Sequence, residues 1–559
     1  MANLLSTNFS GGVFEKTLTA PQSTTNLTNS PYTGASEMEF DSTGNWDTRA
    51  CRNVAFNPFK KGEFVVVWEN AASTGILARI GQITGTTVTW TSSTTTVISV
   101  GSQNYSDPMI QFDQVVPNMF MLAYRYNSQS RWVLKNGKCD HGGLTFGDRW
   151  ESNAQNNNTG IGIGDLAADP KVAGRFFVVG YDPNSSNQGY CMAIQVGNGG
   201  TNLGVPGVGS RYYYGSGSND CYENKIAMDP HNIGKMIVIW SDANADDFGK
   251  ARALTAGSSG TSVSALGSQH TFHSHGSSSG TYNLGIDFDP DTSTKFIITY
   301  RDMRVADALK AIVGTLNNST GAMTYGAEQE FSSDGQTTNI SFFPGQSTFP
   351  NKFIVTYKDA SAIAKSRIGT YSGTTIAWDD EVTVNSSSTG AISPAIIDKH
   401  LKGRFLIAFD EGGAKVIAGK MNSNTITIDL TLGNVFTVDF GDGTILGPIT
   451  NITVTGATGT NVVHTFILKI IQGSPSYQID WDTLTAFKWQ KYWLPGKAQG
   501  PQGHLSTDGT PEDPTFSKTT GWIHRPSIST INDTVDVYSF TTYNNGTTWY
   551  ASIVGQDIS

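Results

Sequence analysis

Five aspartates recur at the same place in the rhythm of this chain: Asp182, Asp242, Asp302, Asp359 and Asp410 each close a short apolar run. Carboxylates repeated at loop starts suit a shared acidic rim that holds a cation or a polar glycan. The plainer reading is a turn-starter whose carboxylate accepts hydrogen bonds from its own backbone a few residues on. A second cluster lies in the long glycine-rich stretch from Gly197 to Asn224, which carries Tyr212, Tyr213, Tyr214 and Tyr222. An exposed tyrosine offers a sugar ring or a protein partner an apolar face with a hydrogen-bonding tip. The alternative is that these rings fasten the stretch onto its neighbours. The four tyrosines, with Asp242 and Asp302, are the candidate contacts for a glycan or a protein partner.

Other chemistry is thin. Asp242 to Asp247 opens like a calcium loop but lacks the glycine such a loop needs at its sixth position, and no metal site is expected. His270, His273 and His275 have no standard ligand spacing and read as exposed loop histidines. The phosphate-binding loop and the H-E-x-x-H zinc motif are both missing, and no catalytic residue and no cofactor is assigned. Cys51, Cys139, Cys191 and Cys221 lie far apart and are expected as reduced, semi-buried thiols.

The elements that position these residues repeat. The run Phe296 to Asp302 has relatives beginning at Phe64, Phe120, Phe177, Met236, Phe353 and Phe405, at successive spacings of 56, 57, 59, 60, 57 and 52 residues. Each is β-branched and apolar, ends near an aromatic residue and then turns polar, as a strand buried on both faces does. Asp-Pro or Asn-Pro turns precede several copies (Asn57-Pro58, Asp169-Pro170, Asp229-Pro230, Asp289-Pro290), and a hairpin follows, as in Ala308 to Leu316 and Ala322 to Phe331. Four antiparallel strands per repeat, seven times over, predict a seven-bladed β-propeller, in which each blade covers the apolar faces of its neighbours. Residues 34–42 resemble the fourth strand at 326–333, so residues 36–40 are expected to pair with the last blade and close the ring. The expected boundaries are a leader or attachment segment over 1–30, the propeller over 31–423 and a smaller module over 424–559.

The 559 residues carry a net charge of -10 with no basic run, which argues against nucleic-acid binding. No apolar stretch approaches the roughly 20 residues of a membrane span, and no export signal opens the chain. Beyond Asn424 the repeat ends. Alternating strands such as Val435 to Phe440 and Val463 to Ile471 predict a β-sandwich-like C-terminal domain, and the fold class is all-β.

The C-terminal residues carry a resemblance. Asp429-Leu430, Gly433-Asn434 with Phe436, Thr465 to Leu468, Ile479 to Trp481, Lys488-Trp489 with Pro495-Gly496, Val535 to Phe540 and Asn544 to Tyr550 resemble a module of structural and tail-fibre proteins of tailed bacteriophages. The repeats are similar to those of marine phage virion proteins, although the insertion between Trp489 and Val535 departs from the module. The resemblance implies a non-enzymatic virion component, a tail fibre or other appendage concerned with host attachment or assembly. Its implied partners are other virion proteins and a host-surface glycan or protein, and homo-oligomers, trimers among them, are expected. Two alternatives stay open: a propeller glycoside hydrolase or lyase acting on host polysaccharide, and a free carbohydrate-binding propeller. The hairpin from Thr542 to Trp549 has the spacing of the aspartate box of sialidase propellers, with Asn in place of Asp. Its plainer reading is an Asn-Gly turn with Trp packed beneath.

Overall fold

The protein is described here from a computed structural model. It describes residues 15–18, most of 37–420, and in the C-terminal part 424–430, 435–439, 449–455, 457, 463–471, 487–489, 535–543 and 549–558. Within 37–420 it leaves out 42–52, 71–73, 85, 100–104, 127–130, 141, 153–161, 216–220, 244–247, 258–259, 275–279, 306, 345–350 and 401–402. Cys51, His275, Asp246, Asp247 and the Asn544-Asn545-Gly546 turn lie outside the described residues.

The chain divides into two compact units, Asn26–Met421 and Met1–Thr25 with Asn422–Ser559. The larger is a β-propeller. Its described strands form seven antiparallel sheets of four or five strands, six of them in chain order from the axis outward. The second strands are the recurring apolar runs: Glu63–Glu69, Met119–Tyr126, Arg175–Asp182, Lys235–Asp242, Lys295–Asp302, Lys352–Lys358 and Arg404–Asp410. Innermost strands of successive sheets touch all the way round, the first meeting the seventh. Each of the seven spaces between neighbouring sheets holds its own apolar cluster. Such a sheet has two greasy faces and no way to bury both alone. Radial stacking is the arrangement that buries them.

Two local rules build the blades. At the turn out of the innermost strand, an Asp or Asn accepts from the backbone two residues on in every blade but the sixth, which has Phe343 there, as Asp169 does from Lys171 N (2.8 Å), Asp229 from His231 N (2.8 Å) and Asp289 from Asp291 N (2.8 Å). That turn then needs one left-handed residue before the second strand. It is Gly62, Asn118, Gly174, Gly234, Thr294, Asn351 and Gly403 in the seven blades, all with φ between 56° and 75°. The turn aspartates also tie blades together, since Gly174 N donates to Asp113 Oδ2 (2.6 Å) and Gly62 N to Asp398 Oδ2 (2.6 Å).

The seventh sheet takes its outer strand from the other end of the chain. Met38–Asp41 pairs antiparallel with Ala414–Lys420, Met38 opposite Val416 and Glu39 opposite Lys415. Phe40 is buried there, its ring 5.1 Å from Trp68 and 6.1 Å from Trp90 of the first blade. The smaller unit contains a six-stranded mixed sheet and a parallel pair, Asn424–Asp429 with Ile449–Thr455. Residues 15–18, read from sequence as part of a leader, pair in parallel with Val435–Asp439 of that sheet. Phe466 and Phe540 stack at 4.8 Å in its core.

Candidate functional site

The loops after the second strands share one end of the ring with the connections between blades, so the recurring aspartates and the tyrosine stretch lie at the same end. The aspartates do not form an open acidic rim. Asp242 and Asp302 are buried, at 1 % and 0 % exposure. Asp302 Oδ2 accepts from Lys310 Nζ (2.7 Å), which also reaches Glu328 Oε2 (3.3 Å). Asp359 and Glu381 hold Lys365 at 3.8 and 3.0 Å, and Glu411 and Glu37 hold Lys415 at 2.8 and 3.2 Å. Three blades therefore use one device: a lysine early in the third strand, clamped between a carboxylate after the second strand and one at the start of the fourth. The device takes the place of the rim because apolar packing surrounds these positions, and a buried carboxylate there needs a cation.

The clamp extends between blades. His273, expected on an exposed loop, is 2 % exposed at the end of the strand Val263–His273. Its Nδ1 lies 2.6 Å from Glu328 Oε1 of the next blade, and its Nε2 3.7 Å from Asp302 Oδ2. The outer strand of the fourth blade packs against the fifth, which is what turns an apparent loop histidine inward. Asn385 occupies the same place one blade pair further on, donating to Glu37 Oε1 (2.9 Å) and Glu411 Oε2 (2.6 Å). Burial raises the Asp302 and Glu328 carboxyls, but the hydrogen bonds and charges of Lys310 and His273 outweigh it. Asp302 ends below the usual carboxylate range and Glu328 falls to about 2.

The tyrosine stretch is split by the third blade. Tyr212–Tyr213 pairs with that blade's third strand, Tyr213 opposite Tyr190 and Tyr212 opposite Cys191, so the two rings point to opposite faces. On the side of the second blade, the Tyr213 hydroxyl donates to Asp182 Oδ2 (2.6 Å), and Asp182 also pairs with Arg211. On the side of the fourth blade, Tyr214 is wholly buried and its hydroxyl donates to Asn224. Tyr214 presents no ring face to a ligand, because its ring fills the core against Trp240 at 5.0 Å. Tyr212 is half-buried under the guanidinium of Arg252 at 5.9 Å. Tyr222 is 38 % exposed beside half-buried Tyr181, the rings 6.4 Å apart. Sequence spacing could not separate these roles: four tyrosines close in the chain alternate between core and surface only once their strands are paired. The lysine clamps carried a legible signal, a lysine eight, six or four residues after a carboxylate in three successive repeats (Asp302, Asp359 and Glu411).

Among the described residues no group of three or more His, Cys, Asp or Glu is placed to hold a metal ion. No described helix is long and apolar enough to cross a membrane. Cys139, Cys191 and Cys221 form no disulfide and are buried, more so than their sequence contexts suggest, and burial pushes the Cys139 thiol up to about 12.

No family model matches the chain, and no curated protein matches it. Solved structures do. The chain is similar to the BP39L lectin from Burkholderia pseudomallei, at 10 % identity and a TM-score of 0.47, over 67 % of this chain and 97 % of that one. It is similar to AofleA from Arthrobotrys oligospora, at 10 % identity and a TM-score of 0.37, over 66 % and 97 %. It is also similar to Sqt1 from Saccharomyces cerevisiae, at 8 % identity and a TM-score of 0.39, over 69 % and 98 %.

Proposed function

We propose that this chain is a non-enzymatic binding propeller carried on a bacteriophage particle, where it engages a host-surface glycan through the end of the ring that bears the tyrosine stretch. One observation carries the choice of binding over cleavage. Three of the carboxylates at that end are committed to internal cations, Asp302 to Lys310, Asp359 to Lys365 and Asp182 to Arg211, while Tyr181, Tyr213 and Tyr222 keep part of their rings in solvent. A general acid for glycoside cleavage needs a raised carboxyl, and Asp302 and Glu328 are held low. Asp113 and Asp410 are raised by burial, but both are engaged by backbone N–H groups, Asp113 by three at a turn and Asp410 by that of Gly413. Half-exposed aromatic rings beside fixed charged hydrogen-bonding groups are what a pyranose recognises. The phage assignment rests on the likeness of the C-terminal residues. With it come the proposals that the partners include other virion proteins and that the assembly is a homo-oligomer such as a trimer.

A microbial glycan array probed with the full chain tests the reading. Saturable glycan binding without release of reducing ends is expected, with Tyr222→Ala weaker by about fivefold, the worth of one ring contact near 1 kcal/mol. Release of reducing ends would reject the non-enzymatic reading. Absence of the chain from purified particles by mass spectrometry would reject the viral one.

A further inference from the structure

The axis of the ring holds a cavity of about 280 Å³ lined by all seven innermost strands. Its volume lies just under the usual range for small-ligand pockets, roughly 300–1,000 Å³. Alanines keep the bore open and Phe288 and Phe342 give it apolar walls. The mouth lies at the turns out of the innermost strands, opposite the end that carries the tyrosines. Five blades place a proline at one position of that turn: Pro58, Pro170, Pro230, Pro290 and Pro344. The second and seventh blades place Gln114 and Lys399 there instead, and these two meet across the first blade, Lys399 donating to the Gln114 side chain. His400 contacts the Pro58 carbonyl oxygen at 2.8 Å from Nε2, which fixes the turn that carries Lys399. The mouth is thus greasy around most of its circumference and polar along one arc.

Among the described residues, two that line the cavity are ionisable, Asp287 and Lys399. Asp287 is engaged by the wall itself, accepting from Phe288 N and Phe342 N at 2.9 Å each. Lys399 is open to solvent along the bore yet ringed by protein, and that enclosure lowers its ammonium pKa below the usual lysine value. An ammonium has three N–H donors, and the hydrogen bond to Gln114 uses one. Among the described residues the apolar bore ends at a single cation, which selects for a single negative charge on an apolar body. A phosphate dianion would call for more donors than one ammonium supplies.

We propose that the axial cavity is a binding site for a carboxylate-bearing amphiphile, its hydrocarbon part in the bore and its carboxylate on Lys399. The site is separate from the glycan reading, since it lies at the other end of the ring. Calorimetric titration of the full chain with octanoate, using octylammonium as the charge-reversed control, tests it. Octanoate should bind with a Kd of about 1 mM or tighter, and octylammonium at least about tenfold more weakly. Lys399→Gln, which keeps an amide to meet Gln114 and removes the charge, should weaken octanoate by about tenfold, and Lys399→Arg should stay within about threefold of the parent. Should Lys399→Gln fold poorly, Lys399→Met serves, because it keeps the stem that lines the mouth. The proposal is overturned by absent or non-saturable octanoate binding, by equal affinity for octanoate and octylammonium, or by a charge-removing variant that binds octanoate as tightly as the parent.

Discussion

Replacing Gly369 by alanine should destabilise the propeller, although alanine is ordinarily the better strand residue. In five blades the phenylalanine that opens the recurring apolar run lies against a glycine directly across on the third strand: Phe64 on Gly81, Phe120 on Gly137, Phe296 on Gly314, Phe353 on Gly369 and Phe405 on Gly419. A Cβ built on Gly369 would stand 2.3 Å from Phe353 Cζ and 2.7 and 2.8 Å from its two Cε atoms. Ordinary contact begins at 3.4 Å, so the ring would have to retreat by 3.4 − 2.3 = 1.1 Å. Phe353 is fully buried and set edge-on to Trp378 at 5.3 Å, with Phe342 at 5.5 Å behind it, so it cannot retreat without disturbing both. Overpacking of this kind costs about 1–3 kcal/mol, and the gain in strand preference returns about 0.5–1 kcal/mol. The net loss is about 1 kcal/mol, read as a midpoint shift in guanidinium unfolding followed by tryptophan fluorescence. The double variant Gly369→Ala with Phe353→Leu separates the clash from a general effect of the methyl group. A leucine can turn aside, so the alanine should cost less in that background, with a coupling of at least about 0.5 kcal/mol. Additive losses, or a Gly369→Ala protein as stable as the parent, would refute the reasoning.

Thr294 is the one β-branched residue among the seven left-handed turn positions, at φ 75°, and Thr294→Gly should raise stability by about 0.5–1 kcal/mol in the same unfolding assay. Phe40→Ala should cost about 3–5 kcal/mol, because the ring fills the seam between the last and first blades against Trp68 and Trp90 even though its strand comes from the far end of the chain. Lys310→Met leaves the wholly buried Asp302 without its lysine and should cost about 3 kcal/mol or more by thermal melting. Glu328, lowered from the ordinary 4.5 to about 2, and Asp302, also lowered, contribute stability that is complete above the ordinary carboxylate range. That contribution is lost as pH falls through the folded values, so stability should drop between about pH 4.5 and 2, and Glu328→Gln should flatten the drop.

The ring was largely legible in the sequence because each blade is specified locally. An aromatic-closed β-branched run, an Asx turn and a small residue at the left-handed position recur with little variation, and any one blade predicts the next. What the strands do to side chains was not legible in the same way. Tyr212, Tyr213 and Tyr214 are consecutive, and only the pairing of Tyr212 with Cys191 and Tyr213 with Tyr190 sends alternate rings to opposite sides of the third blade. His273 read as a loop residue because its partner Glu328 lies 55 residues away, in another blade. The recurring aspartates looked like a rim because their cations are each contributed by a different strand.

The clamps also explain why one particular strand closes the ring. The third-strand residue directly opposite the closing aromatic is Leu77, Val133 and Gly189 in blades one to three, but Lys250, Lys310, Lys365 and Lys415 in blades four to seven. The seventh blade therefore needs a fourth strand with a carboxylate two residues before the one opposite its lysine, as Glu328 precedes Glu330 and Glu381 precedes Thr383. Residues 37–41 supply it: Glu39 lies opposite Lys415, Glu37 completes the clamp, and Phe40 faces the first blade. A slip of one residue would turn Phe40 away from Trp68 and set Met38 where a charge is required, so burial and electrostatics select the same register. The closing strand is thus specified by its own residues for the one blade that lacks a fourth strand, and a segment with the apolar pattern but no glutamate at position 37 would leave Lys415 with half its clamp.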